Sequence, residues 1–125
     1  MIQKLLLLAM AGALGTLARY GLARAVQRMI GMELVWGTLA VNVIGCFAFG
    51  LIMALASGRA SITPEARIII LVGFMGAFTT FSTFIFETNQ LLDQARWLHA
   101  AGSVILHNTV GILVLFAGLA LGRSI

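Results

Sequence analysis

The stretch LVWGTLAVNVIGCFAFGLIMALASG, residues 34–58, contains no charged residue and decides the fold class of this chain. A helix needs about 20 apolar residues to cross a hydrocarbon core roughly 30 Å thick. Residues 68–86 and 98–122 form two further uncharged stretches of suitable length. An N-terminal stretch, residues 5–18, becomes long enough if Arg19 joins the helix with its guanidinium at the interface or in a wet cavity. The pattern therefore predicts an all-α membrane protein, with four transmembrane helices in one domain covering residues 1–125.

The composition supports this class. Hydrophobic residues make up 61% of the 125 residues, charged residues make up 10%, and the mean hydropathy is +1.06, values outside the soluble globular range. The eight Lys and Arg residues are spread among the helix ends, so nucleic acid is not an expected partner. The single cysteine, Cys46, excludes an intrachain disulfide. The chain carries no protease, kinase, hydrolase or nucleotide-binding motif, and we therefore do not expect an enzyme.

Short loops are expected between the helices. We predict helices at residues 4–23, 34–56, 66–92 and 98–121, with the only proline, Pro64, just before the third helix. A cleaved signal peptide is the alternative interpretation of the first helix, because Lys4 precedes an apolar run with small residues. Three more spans follow, which favours a retained helix.

The basic residues divide evenly between the two sides of the predicted bundle. One side holds Lys4, Arg59, Arg67 and Arg123, and the other holds Arg19, Arg24, Arg28 and Arg96. Because the richer side is usually cytoplasmic, an even division predicts insertion in both orientations; the alternative is a weak bias from one or two misassigned residues. Four short helices can hardly enclose an aqueous path and also pack their own core. We therefore expect a homodimer, which insertion in both orientations would make antiparallel.

Two polar side chains in the first two helices are candidate site residues. Asn42 lies well inside an apolar span, where its amide either bonds a neighbouring helix or offers N–H donors to an anion that has lost its water. Arg19 is the one full positive charge inside a span. Its guanidinium either snorkels to the headgroups or forms an anion entrance.

The third helix contains GFMGAFTTFSTFIFE at residues 73–87, with hydroxyl groups and aromatic rings in one segment. At about 100° per residue its side chains fall on two arcs. One arc holds Thr79, Thr80, Thr83 and Glu87, and the opposing arc holds Phe74, Phe78, Phe81 and Phe84. Hydroxyls and the electropositive edges of aromatic rings are groups that bind an anion without bond chemistry.

The backbone of the same segment has two possible forms. Gly76 and its neighbours favour either an unbroken helix, with threonine hydroxyls bonded to the preceding turn, or a break. Carbonyls freed by a break on a two-fold axis would suit a hard monovalent cation. In the fourth helix, His107 is interpreted as a packed or hydrogen-bonded histidine, because no other ligand lies at metal-binding spacing.

These motifs together resemble one family. GTLAVN at residues 37–42, GFMGAFTTFSTF at residues 73–84 and an early ARY at residues 18–20 are similar to the Fluc/CrcB family of fluoride channels, over nearly the whole chain. The resemblance implies a fluoride-selective channel of the bacterial inner membrane that exports cytoplasmic fluoride passively and lowers its concentration. It also implies an antiparallel, dual-topology homodimer in the lipid bilayer, with a structural Na⁺ at its centre.

The resemblance also implies roles by position. Asn42 matches the pore-lining asparagine, Phe81 and Phe84 match a ring pair whose edges contact fluoride, and Arg19 matches the vestibule arginine. The remaining positions expected beside the pore are polar: Thr80, Ser82, Thr83 and Glu87. The backbone carbonyls of Gly76 and Thr79 match those that hold sodium, so we expect the third helix to be broken near its middle. In the fourth helix, Ile112 and Phe116 replace hydroxyl residues that are common in the family.

A second function stays open at this point. A proton-coupled exporter similar to the small multidrug-resistance transporters would also have four helices and could insert both ways. Those transporters rely on a carboxylate in the first helix, which this chain lacks. Glu87, near the end of the third helix, is the only candidate for that role.

Overall fold

Helices make up nearly all of the chain that the computed structural model describes, which is residues 1–31, 34–57 and 62–125. In chain order the elements are α1 (Ile2–Ile30), α2 (Leu34–Ser57), α3 (Pro64–Ile68), a π-helical segment (Ile69–Met75), α4 (Gly76–Phe78), α5 (Phe81–Asp93) and α6 (Trp97–Ser124). These described ranges contain no strand. Four stretches within them are long and apolar enough to cross a membrane: Ile2–Ile30, Val35–Ser57, Pro64–Asp93 and Trp97–Ser124. The all-α prediction with four membrane-spanning helices is confirmed, while Arg59, counted above, lies outside the described residues.

The first helix is longer than predicted. α1 continues past the expected end at Ala23 to Ile30, because residues 24–30 contain no glycine or proline that would stop it. It ends at Gly31, whose φ of 113° is accessible to glycine and costly for other residues. Arg24 therefore extends from a helix and not from a loop, and its Nη1 donates to the Tyr20 hydroxyl at 2.7 Å.

The crossing of α2 and α6 is the most extensive helix contact in the described chain. It depends on two glycines that face the opposite backbone. A Cβ added at Gly50 would collide with the Leu115 carbonyl, and one added at Gly118 would collide with the Phe47 carbonyl. The two helices therefore approach as closely as glycine allows, as is common where membrane helices pack without a hydrophobic driving force.

A small apolar core lies where α1, α2 and the third span meet. Val41, Leu71, Met75 and Phe78 are buried and pack together there. Many large apolar side chains of α1 and α6 point outward instead. That distribution is the one expected of a bundle whose outer surface contacts lipid, because lipid tails are as apolar as the side chains they touch.

The third span is interrupted within the sequence GAFTTFSTF. Thr79 and Thr80 leave the helical conformation, with φ/ψ of −80°/156° and −148°/114°, and α5 begins at Phe81. The interruption is modest, since only two residues separate α4 from α5. It lies at the C-terminal edge of the region predicted to break, and it follows a π-helical segment that the sequence pattern did not predict.

Candidate functional site

A double hydrogen bond from Asn42 holds the interruption of the third span. Its Oδ1 accepts from the Thr80 N–H at 2.8 Å, and its Nδ2 donates to the Thr80 carbonyl at 3.0 Å. Unpaired backbone groups are costly inside a membrane, and one amide side chain satisfies both groups of Thr80. The sequence suggested two roles for Asn42, a bond to a neighbouring helix or a donor to an anion, and the two are compatible. Only one of the two Nδ2 hydrogens is used in the bond to the Thr80 carbonyl.

The side chain of Thr80 starts the next helix. Thr80 Oγ1 accepts from the Thr83 N–H at 3.3 Å and lies 2.9 Å from the Thr83 hydroxyl, as an N-cap residue does. On the other side of the interruption, Thr79 Oγ1 donates to the Met75 carbonyl at 3.0 Å. The predicted bond from threonine to the preceding turn therefore occurs together with the break.

Two backbone carbonyls lose their helical donors as a result. In a continuous helix the N–H groups of Thr80 and Thr83 would donate to the carbonyls of Gly76 and Thr79. The Thr80 N–H donates to Asn42 and the Thr83 N–H donates to Thr80 Oγ1 instead. Gly76 and Thr79 are the two residues for which the sequence implied carbonyl ligands.

Phe81 and Phe84 have different environments. Phe84 is 4% exposed and Phe81 is 74% exposed, and their ring centroids lie 5.6 Å apart with the planes tilted by 59°. The prediction of a single phenylalanine arc opposite a polar arc is wrong for α5, because Phe84 and Glu87 are buried on the same face of that helix. Both residues lie within α5, and side chains three positions apart lie on the same side of a helix, so opposing arcs cannot separate this pair.

One cavity is lined by half of the predicted pore residues. This Asn42 cavity has a volume of about 290 Å³ and is lined by Asn42, Gly45, Cys46, Phe49, Thr79, Thr80, Phe81, Phe84, His107, Asn108 and Leu115. A Cβ added at Gly45 would collide with the Thr79 methyl group, so glycine lets α2 approach the interruption. The cavity therefore combines amide, hydroxyl and ring groups at the level of the break.

A second cavity contains the predicted vestibule arginine. This Arg19 cavity has a volume of about 230 Å³ and is lined by Thr16, Arg19, Tyr20, Ala23, Thr38, Val41, Thr80 and Thr83. Arg19 is partly buried. Thr80 lines both this cavity and the Asn42 cavity, so the interruption lies between the two cavities.

Glu87 lines a third, larger space. This Glu87 cavity has a volume of about 590 Å³ and is lined mainly by apolar residues, with Glu87, Gln90, Gln94, Arg96, His99 and Ser103 as its polar members. Glu87 Oε1 accepts from the Thr38 hydroxyl at 2.6 Å, and both side chains are buried. Since Thr38 also lines the Arg19 cavity, this pair lies between the two spaces. Glu87 Oε2 has no hydrogen-bond partner among the described residues.

The other predicted site residues lie at the edges of this group. Ser82 is exposed, and its hydroxyl lies 3.5 Å from that of Thr80. Gly76 is exposed and does not line the Asn42 cavity. On α6, Ile112 and Phe116 are exposed and line none of these three cavities.

Sequence reasoning missed two members of the site. Thr38 precedes Asn42 by one helical turn in GTLAVN, so helical spacing could have placed it on the same side of α2 as Asn42, although not its pairing with Glu87. His107 was expected to be packed or hydrogen-bonded, and it is both: its ring lies 4.3 Å from the Phe84 ring, and its Nδ1 lies 3.0 Å from the Ser103 carbonyl oxygen. Its position in the Asn42 cavity had no sequence signal, because it depends on how α6 meets α5.

Comparisons with known proteins agree on one family. Residues 6–119 match the family described as CrcB-like protein, Camphor Resistance (CrcB). A curated protein from Nitrosococcus oceani is 51% identical and one from Solidesulfovibrio magneticus is 50% identical, each over the whole of both chains. A protein from Geobacter sulfurreducens is 40% identical over 97% of this chain and 98% of its own. All three relatives are named fluoride-specific ion channel FluC.

Proposed function

Since this chain belongs to the CrcB-like family, we propose that it is a fluoride-selective ion channel and not an enzyme. It lets fluoride leave the cytoplasm passively and so lowers the intracellular concentration of the ion. The observation that carries this proposal is about 50% identity over the full length to relatives named as fluoride-specific channels. Four membrane-spanning helices agree with a multi-pass membrane protein, and we assign it to the inner membrane of a bacterium.

The proposed path follows the two cavities that meet at Thr80. Arg19 attracts the anion to the Arg19 cavity, where the hydroxyls of Thr80 and Thr83 are the next polar groups. Desolvating a small anion is expensive, so the protein must supply donors in place of water. The free hydrogen of Asn42 Nδ2 and the Ser82 hydroxyl are donors near the break.

The ring pair forms the narrow part of the proposed path. The tilt of 59° between Phe81 and Phe84 lets ring edges, which are electropositive, turn toward the Asn42 cavity. Edges attract fluoride without the strong hydrogen bonds that would prevent its release. Glu87 and Thr38 form a buried polar pair beside this path, and Thr38 also lines the Arg19 cavity.

A homodimer with insertion in both orientations is part of the proposal. Phe81 lines the Asn42 cavity and is 74% exposed in the single chain, so a second subunit would cover the open side. Lys and Arg residues are balanced between the two sides, which favours an antiparallel pair. In a Cys46→Ser, Ile125→Cys variant, an impermeant thiol reagent added outside cells should label about half of the protein, whereas all or none would contradict dual insertion.

The sodium proposal rests on the backbone at the interruption. The carbonyls of Gly76 and Thr79 have lost their helical donors, and carbonyl oxygens are suitable ligands for a hard cation. No group of three or more His, Cys, Asp or Glu side chains that could hold a metal occurs in the described residues, so backbone oxygens are the available donors. Two subunits would double the number of carbonyls. Bound Na⁺ would supply positive charge that holds the two interruptions together.

The test of the channel is fluoride efflux from liposomes that contain the purified protein. We expect rapid fluoride loss, recorded with a fluoride electrode, while chloride is retained and no proton gradient is applied. Flux that stopped without a proton gradient would indicate the exporter, which none of the relatives reported above supports. Replacing sodium by a bulky organic cation should reduce both flux and dimer content, and unchanged values would remove the sodium proposal alone.

A further inference from the structure

His107 lines the Asn42 cavity and has one ring nitrogen that the fold does not satisfy. We propose that protonation of His107 adds a hydrogen-bond donor to this cavity, so that fluoride passes faster in acid than at neutral pH. This inference rests on the proposed channel function and assigns a further fluoride-contacting residue to that path. It gives the channel a response to acid in addition to its selectivity.

The contact of His107 with its own helix fixes the roles of the two ring nitrogens. Nδ1 lies 3.0 Å from the Ser103 carbonyl oxygen, one turn earlier in α6. Since a carbonyl only accepts hydrogen bonds, Nδ1 carries the hydrogen. In the neutral ring, Nε2 then carries a lone pair and no hydrogen, and the lone pair repels an anion. In the protonated ring, both nitrogens are donors.

The surroundings of the ring leave Nε2 for a bound species. Nε2 is buried and has no hydrogen-bond partner among the described residues. The ring lies against Phe84, with centroids 4.3 Å apart and planes tilted by 32°. Phe84 is one of the two rings of the narrow part of the path, so the imidazole packs against a ring that lines the proposed path. Buried polar atoms usually have a partner, and a passing fluoride supplies one when Nε2 is protonated.

Other ionisable groups near His107 do not duplicate this role. Cys46, from α2, lines the same cavity, and a thiol does not gain positive charge in acid. Glu87, from α5, lines the neighbouring Glu87 cavity together with Arg96 and His99, and its Oε1 accepts from Thr38. Among these groups, His107 is the one that both lines the Asn42 cavity and gains a donor on protonation.

The experiment measures fluoride efflux from liposomes at subsaturating fluoride, between about pH 8 and about pH 5. Efflux from protein-free liposomes is subtracted at each pH, because hydrogen fluoride crosses lipid without a channel. We expect the rate to rise about tenfold in acid, the effect on a binding constant of one charge-assisted hydrogen bond of ordinary strength. His107→Gln, whose amide is a donor at every pH, should conduct with a flat profile.

Two further variants separate the possible results. His99→Gln, which alters the other histidine, should keep the acid response, whereas His107→Phe should lose it and conduct slowly at every pH. A wild-type profile that is flat or falls in acid would overturn the proposal, and so would an acid response that persists in His107→Gln. In those cases wild-type fluoride efflux would still support the channel. Absence of efflux at every pH would overturn the channel function itself.

Discussion

The crossing of α2 and α6 and the interruption at Thr79 and Thr80 join helices in opposite ways. At the crossing, Gly50 and Gly118 remove side chains, and both helices continue without a break. At the interruption the backbone leaves the helix, and side chains of Asn42 and Thr80 supply the missing partners. The first arrangement provides a rigid support, and the second concentrates polar groups where an ion could replace water. Substitutions in the two regions should therefore have different consequences.

The largest effect is expected at the interruption, for Phe84→Ile. Loss of the ring edge should lower fluoride flux about hundredfold, because roughly 2.8 kcal/mol of stabilisation of the desolvated anion would be lost. Flux is measured with a fluoride electrode, and folding is measured by gel filtration in detergent. Phe74→Ile is the matched control, since Phe74 stacks on Phe78 and lines none of the three cavities described above. Equal losses of flux in Phe84→Ile and Phe74→Ile would show that the effect is not specific to the ring that lines the Asn42 cavity.

An intermediate effect is expected for Asn42→Ala. The N–H and the carbonyl of Thr80 would both lose their partner, which should lower stability by about 2 kcal/mol and flux by about tenfold. The stability is read from thermal unfolding in detergent. Asn108→Ala is the control for stability, because the Asn108 amide donates to the Val104 carbonyl of its own helix. Asn42→Ala with wild-type stability would mean that the interruption is held by other groups.

The smallest effect on flux is expected at the crossing, for Gly118→Ala. The added methyl group meets the Phe47 carbonyl, a backbone atom that cannot rotate away, and overpacking of this kind costs about 1–3 kcal/mol. Flux per folded channel should stay unchanged. Gly102→Ala, in the same helix with nothing within 4 Å of the added Cβ, should leave stability intact. A loss of flux without a loss of stability would show that the crossing contributes to the path.

The sequence predicted the fold well because the membrane restricts the possible structures. Long uncharged stretches leave the helix as the only form that satisfies its own backbone, so four spans followed from composition. The predicted end of α1 is wrong by seven residues, 24–30, because charged residues alone do not end a helix and this segment contains no glycine or proline.

The site was predicted less completely, for a geometric reason. Helical projection does not show which side of a helix packs against its neighbours, and it grouped Phe84, which is buried, with Phe81, which is exposed. The involvement of Asn42 followed from the cost of burying an amide, but its partner did not, because the Thr80 backbone groups become available only when the helix breaks. The pairing of Thr38 with Glu87 and the contact of His107 with Phe84 join distant parts of the chain. Spacing along one helix cannot predict such contacts.

The two hydrogen bonds from Asn42 to Thr80 have a consequence for biogenesis. Both bonds lie within one chain, between residues 38 positions apart, so the interruption can form as soon as the second and third spans have entered the membrane. In the proposed homodimer, each newly made subunit would thus complete its own share of the site before it meets another copy. Chains inserted separately, in either direction, would then arrive at assembly already shaped, and joining them would require no refolding of the segment proposed to contact the ion.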